Sequence, residues 1–195
     1  LEGSEYTMLT NNAGTYNFDR VTKGGSYILA PKKKDDYING VSTLDIVFIQ
    51  RHILDLEKLN SAYKMIAADV NNDQRITASD MTELRKLILG VTDSFVNNDS
   101  WKIFDKSYKF QDPAFAQTEI LPMTYSLDKI DNNMTVDFRA VKIGDVDENA
   151  QANIDDVKTV SRSSDNMNLA VADQKFSKGQ SIEIPVYLTN KVDVA

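Results

Sequence analysis

The feature that most limits what this chain can become is an internal repeat. When Asp45 is laid on Asp80, residues 42–55 (STLDIVFIQRHILD) fall on residues 77–90 (TASDMTELRKLILG). Ile49 then meets Leu84, Gln50 and Arg51 meet Arg85 and Lys86, and Ile53 and Leu54 meet Ile88 and Leu89. Apolar residues recur at helical spacing in each copy: Leu44, Val47, Phe48, Ile49, Ile53 and Leu54 in one, Met81, Leu84, Leu87 and Ile88 in the other. Neither helix can bury its own stripe, so two copies of one supersecondary unit are expected to pack on each other. Gly90 stands where a helix C-cap favours positive φ. Between the copies, residues 61–68 (SAYKMIAA) predict a short helix capped by Asn60 or Ser61.

A metal-binding pattern opens the second copy. Residues 69–80 read DVNNDQRITASD, with oxygen-bearing side chains at loop positions 1, 3, 5, 9 and 12: Asp69, Asn71, Asp73, Thr77 and Asp80. Arg75 at position 7 offers its backbone carbonyl, and Ile76 at position 8 is the apolar anchor. Calcium takes about six to eight hard oxygens, which a tight loop supplies from alternate side chains and a following helix closes with a carboxylate. Gln74 stands at position 6 in place of glycine. The plainer alternative is an Asx-rich turn capping the helix through Ser79 or Asp80.

Two further segments fit the pattern less well. Residues 35–45 (DDYINGVSTLD) need one deletion, which puts Asp35 at position 1, Asn39 at 5, Gly40 at 6 and Asp45 at 12, with Val41 as anchor. Without a gap, Asp36 takes position 3 and Lys34 position 1. The alternative is a degenerate copy that keeps the fold without metal. Residues 145–156 place Asp145, Asp147, Asn149, Asn153 and Asp156 at positions 1, 3, 5, 9 and 12, with Gln151 at 7. No strongly apolar helix follows, and a solvated acidic linker is the simpler reading.

Composition removes other function classes. The 195 residues carry 22 basic and 29 acidic side chains, a net charge of −7, and the one basic run, Lys32 to Lys34, leads straight into Asp35 and Asp36. No basic stripe for nucleic acid stands out. Cysteine is absent, which removes thiol catalysis and thiolate metal sites. No apolar run reaches the ~20 residues that span a bilayer. His52 is the single histidine, opposite Leu87 in the repeat, and no Ser/His/Asp set can be built around it. A catalytic role is therefore not expected. Trp101, Tyr108 and Tyr125 are candidates for a sugar-binding face, although aromatics scattered in strands are more often core.

DVNNDQRITASDMTELRKLILG, with AYKMIAA before it, resembles type I dockerin repeats over roughly residues 35–92. The resemblance implies two Ca2+-binding loop–helix units packed as an antiparallel pair, and a cohesin β-sandwich as partner. It places partner contacts at loop positions 10 and 11 and at basic residues later in each helix. Here these are Thr43, Leu44, Gln50 and Arg51 in the first copy, and Ala78, Ser79, Arg85 and Lys86 in the second. TNNAGTYNFDRVTKGGSYILAPKK is similar to the last strands of a Cna-B or carboxypeptidase-regulatory-like prealbumin domain. AVKIGDVDENAQAN with LAVADQKFSKGQSIEIPVYLTN resembles the opening of a cohesin-like sandwich. This order resembles very large secreted or surface proteins of Bacteroidota, often exported by the type IX system, in which such a unit docks in cis or in trans.

The expected architecture is thus an α+β multidomain fragment. A truncated β-sandwich over 1–34 precedes a Ca2+-binding helical pair over 35–95. A β-rich segment over 96–148, a linker over 149–168 and the start of a further sandwich over 169–195 follow. Tyr6, Met8, Tyr16 and Phe18, then Tyr27 and Leu29, predict strands in the first part. Trp101, Ile103, Phe104, Tyr108, Phe110, Tyr125 and Leu127, and later Leu169, Val171, Ile182, Ile184, Val186 and Leu188, predict strands elsewhere. The expected function is a non-catalytic, calcium-stiffened module of an extracellular or cell-surface protein. The rivals are a dockerin recruiting a partner in trans, or an accessory part of a carbohydrate-active protein.

Overall fold

The computed structural model describes residues 6–19, 21–152, 169–171 and 186–188. The chain divides into two compact units, Leu1–Ala152 and Asn153–Ala195. In the second, strands β5 (Leu169–Val171) and β6 (Val186–Leu188) pair antiparallel. Ile182, Ile184 and most of the expected linker lie outside the described residues.

The first unit is α+β. Strand β1 (Tyr27–Leu29) precedes three helices, α1 (Thr43–Ile53), α2 (Ala62–Ala68) and α3 (Ala78–Ile88). Strand β2 (Trp101–Asp105), a 3-10 helix (Pro113–Thr118), β3 (Tyr125–Leu127) and β4 (Phe138–Lys142) follow. Two antiparallel ribbons form: β1 with β3, Tyr27 opposite Leu127, and β2 with β4, Trp101 opposite Lys142.

Local chemistry sets the helices and makes the repeat visible in three dimensions. Ser42 and Thr77 are N-caps with extended backbone, and each forms a capping box with the carboxylate three residues on, Asp45 or Asp80. Both helices also end alike. At α3, Gly90 N–H donates to Leu87 O and Val91 N–H to Lys86 O, with Gly90 at φ +66°. At α1, Asp55 N–H donates to His52 O and Leu56 N–H to Arg51 O, with Asp55 at φ +59°. Each is a Schellman motif.

Helix α1 packs against α3, and α2 against the 3-10 helix and β4. The core gathers Ile49, Ile66, Val70, Leu84, Phe104, Ile143 and Val146, all essentially without solvent contact. The connection from α3 to β4 is therefore part of this core. Gly144 shows how tightly: at φ +86°, its N–H donates to Ala67 O at 2.9 Å, and a Cβ there would come within 2.7 Å of Leu84 Cδ1.

Two expected strand regions are not strands. Residues 6–18 carry a turn at Asn11–Gly14, where Gly14 N–H donates to Asn11 O, and Tyr16 leans on Phe18 and Phe138 while its hydroxyl donates to Val136 O. Tyr108 and Phe110 follow the turn at Lys106 and Ser107, where both rings pack edge-on with Phe104 and with each other, and Phe110 also with Tyr63. Their alternation reflects ring packing instead of strand pairing.

Candidate metal centres

The second loop folds as one continuous turn. Asp69 Oδ1 accepts from Asp73 N–H at 3.0 Å and Oδ2 from Gln74 N–H at 3.1 Å. Asp80 Oδ1 accepts from Asn71 N–H at 3.1 Å and Oδ2 from Thr77 N–H at 2.8 Å. Asn71 Nδ2 donates to Asp73 Oδ2. Arg75 N–H donates to Asp73 Oδ1, and Asn72 and Gln74 take positive φ. Asp69 and Asp80 are fully buried. Burial pushes the Asp69 carboxyl up to about 6 and raises that of Asp80.

A second set with the same bonding is assembled from two distant stretches of chain. Asp145 Oδ1 accepts from Asn149 N–H at 3.1 Å and Oδ2 from Ala150 N–H at 2.9 Å, repeating the bonds of Asp69. Asp45 Oδ1 accepts from Asp147 N–H at 3.2 Å and its Oδ2 from Ser42 N–H at 2.8 Å, repeating the bonds of Asp80, and Oδ1 takes an added bond from Val146 N–H at 2.7 Å. Asn149 Nδ2 donates to Asp147 Oδ2, and Glu148 takes the positive φ of Asn72. One EF-hand-like loop is thus split: Asp145 to Gln151 supply its opening, and Val41 to Asp45 its closing turn and helix start. The seam is held by Asn39, whose Oδ1 accepts from Gln151 N–H at 3.2 Å and whose Nδ2 donates to Gln151 O at 2.6 Å. Gly40, at φ +72°, lies against Ala150, where a Cβ would meet the Ala150 Cβ at 2.6 Å.

Asp45, Asp145 and Asp147 offer carboxylate oxygens all within 4.8 Å of one another. Three hard anionic donors that close suit a divalent cation such as Ca2+. Asp147 Oδ1 is shut off from solvent and has no hydrogen-bond partner, which fits an atom placed to ligate a cation. Burial pushes the Asp145 carboxyl up to about 6 and raises that of Asp45. A bound cation would reverse that penalty by favouring the ionised form.

The structure therefore brings together Asp69, Asn71, Asp73, Arg75 and Asp80 in one loop, and Asp45, Asp145, Asp147, Asn149 and Gln151 in another. Val41 is buried at the anchor position, where Ile76 stands in the second loop. Asp35 lies apart from these sets as an exposed partner of Lys33 at 3.0 Å, and Asp36 is half-buried in the turn before Asn39 at φ +52°. Asp156 lies outside the described residues. The sequence does carry a signal for the split loop: Asp145-Val-Asp147-Glu-Asn149 has the layout of Asp69-Val-Asn71-Asn-Asp73 but no helix after it, whereas α1 starts without a full loop before it.

Of the candidate contact residues, Thr43, Leu44, Gln50, Arg51, Ala78, Ser79 and Arg85 are exposed, and Lys86 is half-exposed and paired with Glu83 at 2.7 Å. His52 Nδ1 accepts from Leu59 N–H at 3.2 Å, closing the turn after α1. Trp101 is buried, and the Tyr108 hydroxyl donates to Glu119 Oε2.

The dockerin type I domain model matches residues 39–89. Residues 39–89 are thus similar to a dockerin type I domain, a kind of module that is non-catalytic, binds Ca2+ and interacts with cohesins. The match begins at Asn39, the seam of the split loop. No curated protein and no solved structure matches the chain. Among the described residues, no helix is long and apolar enough to cross a membrane.

Proposed function

We propose that residues 37–151 act as one two-ion calcium module, a stiff non-catalytic docking unit of a secreted or surface protein. Asp69, Asn71, Asp73, Asp80 and the Arg75 carbonyl hold one ion. Asp45, Asp145, Asp147, Asn149 and the Gln151 carbonyl hold the other. The observation that carries this reading is that Asp145 and Asp45 accept the same loop and N-cap N–H bonds as Asp69 and Asp80, in one split and one continuous set. Each ion ties a loop to the start of a helix, so binding free energy becomes folding free energy.

The exposed faces of α1 and α3 are the surface for a cohesin-type partner. Thr43, Leu44, Gln50 and Arg51 form one patch, and Ala78, Ser79, Arg85 and Lys86 the equivalent one. The test is thermal melting with calcium and with chelator, on the wild-type chain and on Asp69→Ala and Asp80→Ala. Calcium should raise the melting temperature of the wild type, and each substitution should remove the same part of that rise. Equal melting temperatures with calcium and with chelator would reduce both loops to structural relics.

A further inference from the structure

The β2–β4 ribbon, which lies beyond the dockerin match, brings one lysine to each loop. Trp101 is opposite Lys142 and Lys102 opposite Val141, so Lys102 and Lys142 occupy adjacent strands one register step apart. Lys142 is only 3% exposed. Its Nζ donates to two main-chain carbonyls, Tyr37 O at 2.7 Å and Ile143 O at 3.3 Å. Those bonds tie the arm that leads to Val41 and Asp45 onto the strand that leads to Asp145. The carboxylates whose charge bears on this ammonium are, in order, Asp36, Asp145, Asp45 and Asp35. At the continuous loop, Lys102 Nζ donates to Asn72 Oδ1 at 2.7 Å, and its charge and that of Asp69 act on each other.

A buried ammonium that hydrogen-bonds only neutral groups is costly unless anionic charge lies close by. Around Lys142 that charge comes from Asp36 and Asp35, just ahead of the seam, and from Asp145 and Asp45 of the split loop itself. The same carboxylates repel one another until a cation stands among them. Resting on the two-ion reading above, we propose that Lys102 and Lys142 are built-in counter-charges, which hold the two carboxylate sets together before an ion arrives and lower the affinity of each loop for Ca2+. When the ion binds, two positive charges enter a site already partly neutralised, and the lysine works against them.

The test is calcium calorimetry and chelator melting on the full chain carrying Lys102→Met or Lys142→Met, with Lys102→Arg as the charge-conserving control. Each methionine should strengthen one site only, on the order of tenfold. It should also lower the melting temperature in chelator and widen the gain on adding calcium. Repeating each titration with Asp145→Asn, which leaves only the continuous loop, assigns the strengthened site. Lys102→Arg should leave the affinity near that of the wild type. Unchanged or weakened affinity in the methionine variants of a wild type that binds two ions overturns this inference and leaves the module reading intact. A wild type that binds no calcium overturns the module reading instead. Lys102 is half-exposed, so its variant decides the matter even where Lys142→Met does not fold.

Discussion

Asp45 accepts a 2.7 Å hydrogen bond from the N–H of Val146, 101 residues further along the chain and next to Asp145. That bond joins the first turn of α1 to a loop delivered by β4. In the proposed two-ion module it makes residues 91–144 a necessary part, because they carry Asp145 to its place beside Asp45. Lys142, Ile143 and Gly144 keep that loop in register through bonds to Tyr37 O, Ser100 O and Ala67 O.

The seam allows no side chain at position 40. An alanine there would bring its Cβ within 2.6 Å of the Ala150 Cβ and would also have to adopt φ +72°. Gly40→Ala should cost about 1–3 kcal/mol in chemical denaturation. It should weaken one calcium site and spare the other. Ala150→Gly added to it should recover little of the loss, since the backbone Cα and N of residue 150 would still lie 2.7 Å from the new Cβ.

The buried carboxylates set a pH dependence whose sign calcium reverses. Asp69 and Asp145 are raised to about 6 and Asp45 and Asp80 are raised too, chiefly by burial. Between the ordinary carboxylate value and about 6, the folded metal-free protein holds protons that the unfolded chain has released. Its stability therefore falls as pH rises through that window. Asp35 and Asp55, lowered by Lys33 and Lys58, act the other way but stand in solvent, where such pairs count for little. In chelator the melting temperature should be higher at pH 5 than at pH 7. Calcium competes with those protons, so its affinity should rise over the same interval, and in saturating calcium pH 7 should give the higher melting temperature.

Asp55 occupies the left-handed position that Gly90 fills at the end of α3. Its exposed pair with Lys58, 2.8 Å long, offsets little of that strain. Asp55→Gly should raise stability by up to about 1 kcal/mol, read as a higher denaturant midpoint at unchanged slope.

How much of this is legible in the sequence depends on whether the determinants are local. The helices, the carboxylates at Asp45 and Asp80 and the continuous loop from Asp69 are encoded within a few residues, so periodicity and spacing point to them. The partnership of Asp45 with Asp145 is not local. Spacing along the chain sends Asp45 to an opening at Asp35 and Asp145 to a closing residue at Asp156, because a continuous loop is the only pattern that spacing can express. Tyr16 and Tyr108 mislead for a related reason: aromatic alternation signals a strand only where a pairing neighbour exists, and here the rings pack on Phe138 and on Phe104.

Calcium stoichiometry by calorimetry on the wild type, Asp45→Asn, Asp145→Asn and the double variant tests the split loop most directly. The account predicts two ions for the wild type and one for each single variant. The double variant should also bind one, because Asp45 and Asp145 serve the same ion. Two ions in either single variant, or none in the double variant, would contradict it.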